Sequence, residues 1–204
     1  MLGWQRIFLT LYTGLQGAKT NMLMKLLSRF RPTWRVAGVT NITPAFLKEH
    51  GVTTLLLDRD DTLTTTGSLS VDSRTREWIQ LMQNEGVKLA IVSNSRFPQS
   101  VLSFARLLEI AVVTYGLPYL VGKPRTCILR RAMFELGSTE EQTVMVGDQL
   151  WTDVLGGNLT NVRTILVRPI CPHGAHRGTR LVRALLEHPL YRLLEKLGQM
   201  PEEI

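Results

Sequence analysis

With 204 residues and 44% hydrophobic content, the chain is long enough to bury one α/β core, and a single domain is expected. Its net charge of +7 is unevenly placed: residues 1–48 hold seven of the 24 Lys and Arg and no acid, which leaves 17 basic against 17 acidic residues in the remainder. No stretch approaches the ~18 apolar residues of a membrane span, and Cys127 and Cys171 form no paired motif, which suits a reducing cytosol.

Residues 1–35 read as a basic extension, helical or partly disordered, that suits an anionic membrane surface or RNA, or is a solvated arm outside the domain. Its apolar run Ile7–Tyr12 is broken by Thr13-Gly14, and it carries no convincing cleavage site. Gly14 to Thr20 has the outline of a phosphate-binding loop. Ala18 stands where glycine is needed and no buried strand precedes it, so a nucleotide site is rejected.

The first strong element is the aliphatic run Thr53 to Leu57, which predicts a parallel strand covered on both faces. It ends in Asp58-Arg59-Asp60-Asp61-Thr62, placing two carboxylates two residues apart where ligands of open α/β sheets gather. An Asp-rich turn after a strand is the plain alternative. A helix is predicted from Asp72 to Glu85, ending at Gly86, and a second strand over Val87–Val92 that runs into Ser93-Asn94. A helix near Pro98–Glu109 and a strand at Ile110–Thr114 follow. Gly122-Lys123-Pro124 places an ammonium at the start of another helix, with proline in the first turn. Thr143–Val146 predicts a further strand, ending in Gly147-Asp148 and followed by Asp153. From Thr179 to Leu197 leucines form an amphipathic stripe interrupted by Pro189, read as packing on the core. Membrane contact through Arg177, Arg180, Arg183 and Arg192 is the rival reading.

The ordered set Asp58-x-Asp60-x-Thr62, Ser93, Lys123 and Gly147-Asp148-x4-Asp153 resembles the haloacid dehalogenase (HAD) superfamily of aspartate-nucleophile phosphohydrolases. From Met22 to about Pro169 the text is closest to its YqeG-like class IIIA branch, related to the phosphatidylglycerophosphate phosphatases, with Ile42-Thr43-Pro44 and Thr152 to Asn158 adding to the likeness. The resemblance implies a three-layer, Rossmann-like α/β fold with a central parallel sheet over residues 36–170, and the leucine stripe adds a loop and amphipathic helix packed on it over 171–204.

It also implies roles. Asp58 is the nucleophile, and Asp60 the general acid and then base; Ser93 and Lys123 hold the phosphoryl group. Mg2+ would take Asp58, the Asp60 carbonyl and Asp148, with Asp153 supporting the metal waters or Lys123. Thr62 and Asn94 are assigned to substrate binding, with orientation of Ser93 as the other reading of Asn94. Alternation along a strand turns Arg59 away from both flanking carboxylates, and Asp61 reads as a turn residue. Only 33 positions separate Asp60 from Ser93, and the span to Lys123 is filled by a helix, a strand and a loop, so no cap domain fits (the C0 type).

An open site suits a large phosphorylated substrate such as phosphatidylglycerophosphate, handled in the cytoplasm or at the inner face of the membrane. The alternative is a regulatory HAD scaffold that contacts RNA or a GTPase through its basic arm. Cys171, His173 and His176 lack a fourth close ligand for zinc, and the sequons at Asn41 and Asn158 carry no meaning without secretion.

Overall fold

The computed structural model describes residues 18–95, 97–116, 122–171 and 183–204. Ile7–Tyr12, Gly14–Gly17, His173, His176, Arg177 and Arg180 lie outside that set. Six parallel strands form one sheet in the order β1-β6-β5-β2-β3-β4. They are β1 (Trp34–Val36), β2 (Thr54–Leu57), β3 (Lys88–Ser93), β4 (Val112–Tyr115), β5 (Thr143–Gly147) and β6 (Arg163–Val167). The α-helices are α1 (Ala18–Leu27), α2 (Pro44–Glu49), α3 (Ser73–Asn84), α4 (Pro98–Leu107), α5 (Thr126–Leu136), α6 (Leu155–Leu159) and α7 (His188–Lys196).

Side-chain alternation along β2 divides the core into two layers. Leu55 and Leu57 join Leu47 of α2, Trp78, Ile79 and Met82 of α3, and Val101 and Phe104 of α4 on one face. Leu56 joins Ile128, Leu129 and Met133 of α5 on the other. That second face is extended by Leu27 and Phe30, Leu150 and Val154, and Leu190 and Leu194 of α7. Every residue of β2 is buried, which is why it reads as an unbroken aliphatic run rather than an alternating one.

Local signals set the boundaries. Asp72 caps α3 by accepting from Thr75 N at 3.0 Å, and Gly86 (φ 75°) turns the chain into β3. Thr43 caps α2 by accepting from Phe46 N, with Pro44 in the first turn. Two expectations are corrected. Helix α5 begins at Thr126, so Pro124 lies ahead of its first turn; the Lys123–Pro124 peptide is cis. Pro189 does not interrupt the last helix. Helical backbone runs unbroken from Arg183 to Lys196, and Pro189 lies just past the change from the π-helical turn over Arg183–Glu187 to α7.

The strand order reverses at β2, because the chain passes to β3 and β4 on one side and then crosses to β5 and β6 on the other. Such a switch point opens a crevice at the carboxyl ends of the central strands. No cap domain fills it among the described residues: β2 leads to β3 through a short flap and α3, and β3 leads toward Lys123 through α4 and β4. No described helix is long and apolar enough to cross a membrane. Leu27, Phe30 and Trp34 pack with the rest of the fold, so a cut at Val36 would remove core residues along with the basic arm.

Candidate active site

Asp58 leaves the tip of β2, its N–H still bonded to Val146 O of β5 at 2.9 Å. That pairing sets it beside Gly147-Asp148, while parallel pairing with β3 brings Ser93 to the same end of the sheet. Lys123 enters from the segment ahead of α5. Its Nζ stands 2.5 Å from Asp58 Oδ1 and 2.6 Å from Asp153 Oδ1, and the ammonium is almost wholly buried. Asp153 thus contacts Lys123, one of the two roles read for it, and it also stands in the carboxylate cluster. Asp58, Asp148 and Asp153 each offer an oxygen, and these lie within 4.8 Å of one another.

Asp153 comes this close because Gly147 leaves room. A Cβ on Gly147 would stand 2.2 Å from Asp153 Cγ. Asp153 is further fixed by Gln149 N, which donates to its Oδ2 at 3.1 Å. Thr62 turns its hydroxyl to Asp58 Oδ2 (3.5 Å) and Asp148 Oδ1 (3.4 Å). Ser93 Oγ, buried, accepts from Ser95 N at 3.3 Å. Asp60 is the most open of the acids, with 28% of its side chain exposed, where an incoming ester could meet it.

Three side chains depart from the expectations. Arg59 does not turn away: its Nη2 lies 3.0 Å from Asp60 Oδ1, its Nη1 donates to Ser100 Oγ at 2.9 Å, and it is buried against the Phe104 ring. Strand alternation no longer applies there, because the chain leaves the sheet after Leu57 and Asp61 takes a left-handed φ of 62°. The same Asp60 oxygen accepts from Gly67 N of the flap at 3.1 Å. Asn94, half-buried, makes a contact that neither of its two readings included. It brackets the Lys123 backbone, donating to Lys123 O at 3.0 Å and accepting from Lys123 N at 2.7 Å.

The third is Arg183, which only the rival, membrane-contact reading of this segment singles out, as part of a cationic outer face. It is 4% exposed and points inward, with Nη2 paired to Asp148 Oδ2 and, at 3.0 Å, to Asp61 Oδ2. One turn further on, Glu187 is also buried and accepts from Leu150 N at 2.8 Å and Trp151 N at 3.1 Å. The four-residue spacing of these opposite charges is visible in the sequence, but an amphipathic stripe does not tell which polar residues face inward.

Four buried carboxylates, Asp58, Asp61, Asp148 and Asp153, thus face two buried cations, Lys123 and Arg183, with the buried Glu187 close by, so acids outnumber cations. The deficit shows in the acidities. Burial, opposed by Lys123 and reinforced by Asp153 and Asp60, pushes Asp58 up to about 7. Burial, with Asp58 and Asp153 nearby, also holds Asp148 well above the usual carboxylate range. Burial works against the Lys123 ammonium, yet Asp153 and Asp58 outweigh it and raise its pKa. A clustered set of hard oxygen donors that outnumber their cations fits a divalent cation.

Comparison with known proteins agrees with this geometry. Residues 120–195 match the family model described as "HAD-hyrolase-like". Over 143 residues the chain is 36% identical to the probable phosphatase YqeG of Bacillus subtilis (strain 168), covering 69% of this chain and 78% of that protein. The chain belongs to the HAD superfamily. Within it, this phosphatase is specifically similar to the YqeG-like members. A shorter match, 46% over 50 residues, joins it to the ribonucleotide monophosphatase NagD of Escherichia coli (strain K12); it spans 24% of this chain and 20% of that enzyme. An uncharacterized protein from Listeria monocytogenes serotype 4b shares the fold, with a TM-score of 0.52 at 19% identity over 72% of this HAD chain and 97% of the other.

Proposed function

We propose that this HAD phosphatase hydrolyses a phosphomonoester in two displacements, with Asp58 as the nucleophile and Mg2+ as the cation that the carboxylate cluster holds. The observation that carries the reading is the convergence of Asp58, Lys123, Asp148 and Asp153 at the strand switch point, where three separate segments deliver the parts of one reaction.

In the first displacement an Asp58 carboxylate oxygen attacks phosphorus, the ester P–O bond breaks, and an aspartyl-phosphate forms. Asp60 gives its proton to the departing alkoxide. In the second, Asp60, now a carboxylate, takes a proton from water as that water attacks phosphorus, and Asp58 leaves with inorganic phosphate formed. Lys123 and Ser93 hold phosphoryl oxygens through both steps, and Asp153 holds Lys123 at the required place. Asp58, Asp148 and Asp153 would hold Mg2+, which when bound supplies the positive charge that lets an anionic nucleophile approach an anionic ester. Arg59 and Gly67 N both hold Oδ1 of Asp60, so the acid is oriented while remaining open to substrate.

For the substrate we propose a large phosphate ester, phosphatidylglycerophosphate or another ester of comparable bulk. The capless crevice supports it, since no inserted domain closes over the leaving group, and so does the basic amino-terminal segment, which would favour an anionic surface. The test is phosphate release by the purified protein from phospholipid monoesters, sugar phosphates, nucleotides and phosphopeptides. Asp58→Asn, which removes the nucleophile at nearly constant volume, is expected to reduce turnover by about 10³-fold or more while leaving the protein folded. Chelation by EDTA should abolish turnover and Mg2+ should restore it. Wild-type rates from Asp58→Asn would refute the covalent step; full activity after exhaustive chelation would refute the metal.

A further inference from the structure

We infer that Arg183 is a positioning residue for Asp148, and that docking of the carboxyl-terminal segment is thereby coupled to metal binding at the active site. The inference rests on the metal reading of the carboxylate cluster proposed above.

One guanidinium reaches three strand-end loops. Nη2 meets Asp61 Oδ2 after β2 and Asp148 Oδ2 after β5, while Nη1 donates to the Cys171 carbonyl after β6 at 2.7 Å. With Oδ2 of Asp148 held by Arg183 and Oδ1 turned to Thr62, the plane of this carboxylate is set from both edges. Each oxygen therefore has a partner, and one of them still lies within 4.8 Å of oxygens of Asp58 and Asp153. A free carboxylate would rotate and offer both oxygens or neither, so a fixed plane lowers the ordering cost of placing a ligand on an octahedral ion. Glu187 braces the same loop from its other end by accepting the N–H groups of Leu150 and Trp151. The segment that supplies both residues is anchored by Leu190 and Leu194 of α7 in the core.

A buried ion pair that only held this segment down would matter for stability and not for the metal. The two roles separate in Arg183→Lys, which keeps the charge but replaces a planar fork by a single point donor that cannot span three acceptors. Because the net charge is unchanged, a loss of affinity reports on where the donors stand rather than on how many charges the site holds. Calorimetry with Mg2+ alone, on the full chain without substrate, should show a Kd raised by roughly 10- to 100-fold in Arg183→Lys. Leu194→Val, which loosens α7 without touching Asp148, should stay within about threefold of wild type.

Should Arg183→Lys fail to fold, the wild-type protein decides by itself. Coupling is reciprocal, so saturating Mg2+ must slow hydrogen exchange in residues 188–196 by the factor that docking adds to metal affinity, about tenfold or more. Wild-type affinity in Arg183→Lys, or unchanged exchange in 188–196 on adding Mg2+, would overturn the inference while leaving the metal site intact. A wild-type protein that bound no Mg2+ would overturn both.

Discussion

The tightest point of the site is Gly147, and adding one methyl group there tests the arrangement as a whole. In Gly147→Ala the new Cβ would lie 2.2 Å from Asp153 Cγ and 2.3 Å from its Oδ2. Carbon atoms in contact normally stand about 3.5 Å apart, so Asp153 must retreat by about 1.3 Å. That movement takes its 2.6 Å contact with Lys123 and its 3.1 Å bond from Gln149 N out of hydrogen-bonding range. A carboxylate only 2% exposed is then left without its partner. Overpacking of this kind costs about 1–3 kcal/mol and breaking a buried pair about 3–5 kcal/mol; as the two share one displacement, a loss of about 3 kcal/mol is expected. For a chain of this size that lowers the melting temperature by about 6–12 °C. Turnover should fall further than stability, by about 10²-fold, because Lys123 loses the group that places it and displacements of 1 Å are felt at that level. Gly137→Ala is the control. Nothing lies within 4 Å of that position, and its φ of 58° makes the change cost about 1 kcal/mol with no effect on turnover per folded molecule. A Gly147→Ala protein with wild-type melting temperature and turnover would show that Asp153 does not sit against Gly147, and the contact with Lys123 would fall with it.

Two further outcomes follow from the geometry. Asn94→Ala removes both hydrogen bonds to the Lys123 backbone, so turnover on a soluble ester should drop by about 10- to 100-fold for about 1–3 kcal/mol of stability, whereas Asn94→Asp, which still accepts from Lys123 N, should fall between the two; equal rates in all three proteins would remove Asn94 from the site. The metal-free protein should lose stability as pH rises from about 4.5 to about 7. Burial pushes Glu187 up to about 7, so over that window the folded chain keeps a proton that the unfolded chain has released, and the associated stability, about 3 kcal/mol for this group, is present at the acid end and gone above its folded pKa. Asp58 carries the same sign, and Mg2+ should flatten the slope by favouring its carboxylate form. Urea midpoints in EDTA and in Mg2+ between pH 4.5 and 8 would check this, and stability that climbed with pH in EDTA would contradict it.

Much of the fold is legible from short-range pattern. An unbroken aliphatic run ending in Asp58 can hardly be anything but a central parallel strand, because only burial on both faces removes the need for polar alternation. Asp72 and Gly86 bracket α3 within a residue, since caps and left-handed turns depend on a few neighbouring atoms. Asp58, Ser93, Lys123 and Asp148 could be singled out for the same reason: each stands at or just beyond the end of an element whose period is visible in the text. The contacts of Arg59, Asn94, Arg183 and Glu187 could not. Arg59 curls onto Asp60 only after the chain has left the sheet and strand periodicity has lapsed. Asn94 finds its partners 29 residues away, and Arg183 meets Asp148 35 residues away. Leucine spacing in the last helix says which stripe is apolar, but whether an arginine beside it faces water or a cluster of carboxylates depends on where strand order β5-β2 delivers those carboxylates. Local propensity therefore determined the elements and the residues at their tips, while the electrostatic balance of the site was decided by long-range packing, which brings charges together across segments that the sequence keeps apart.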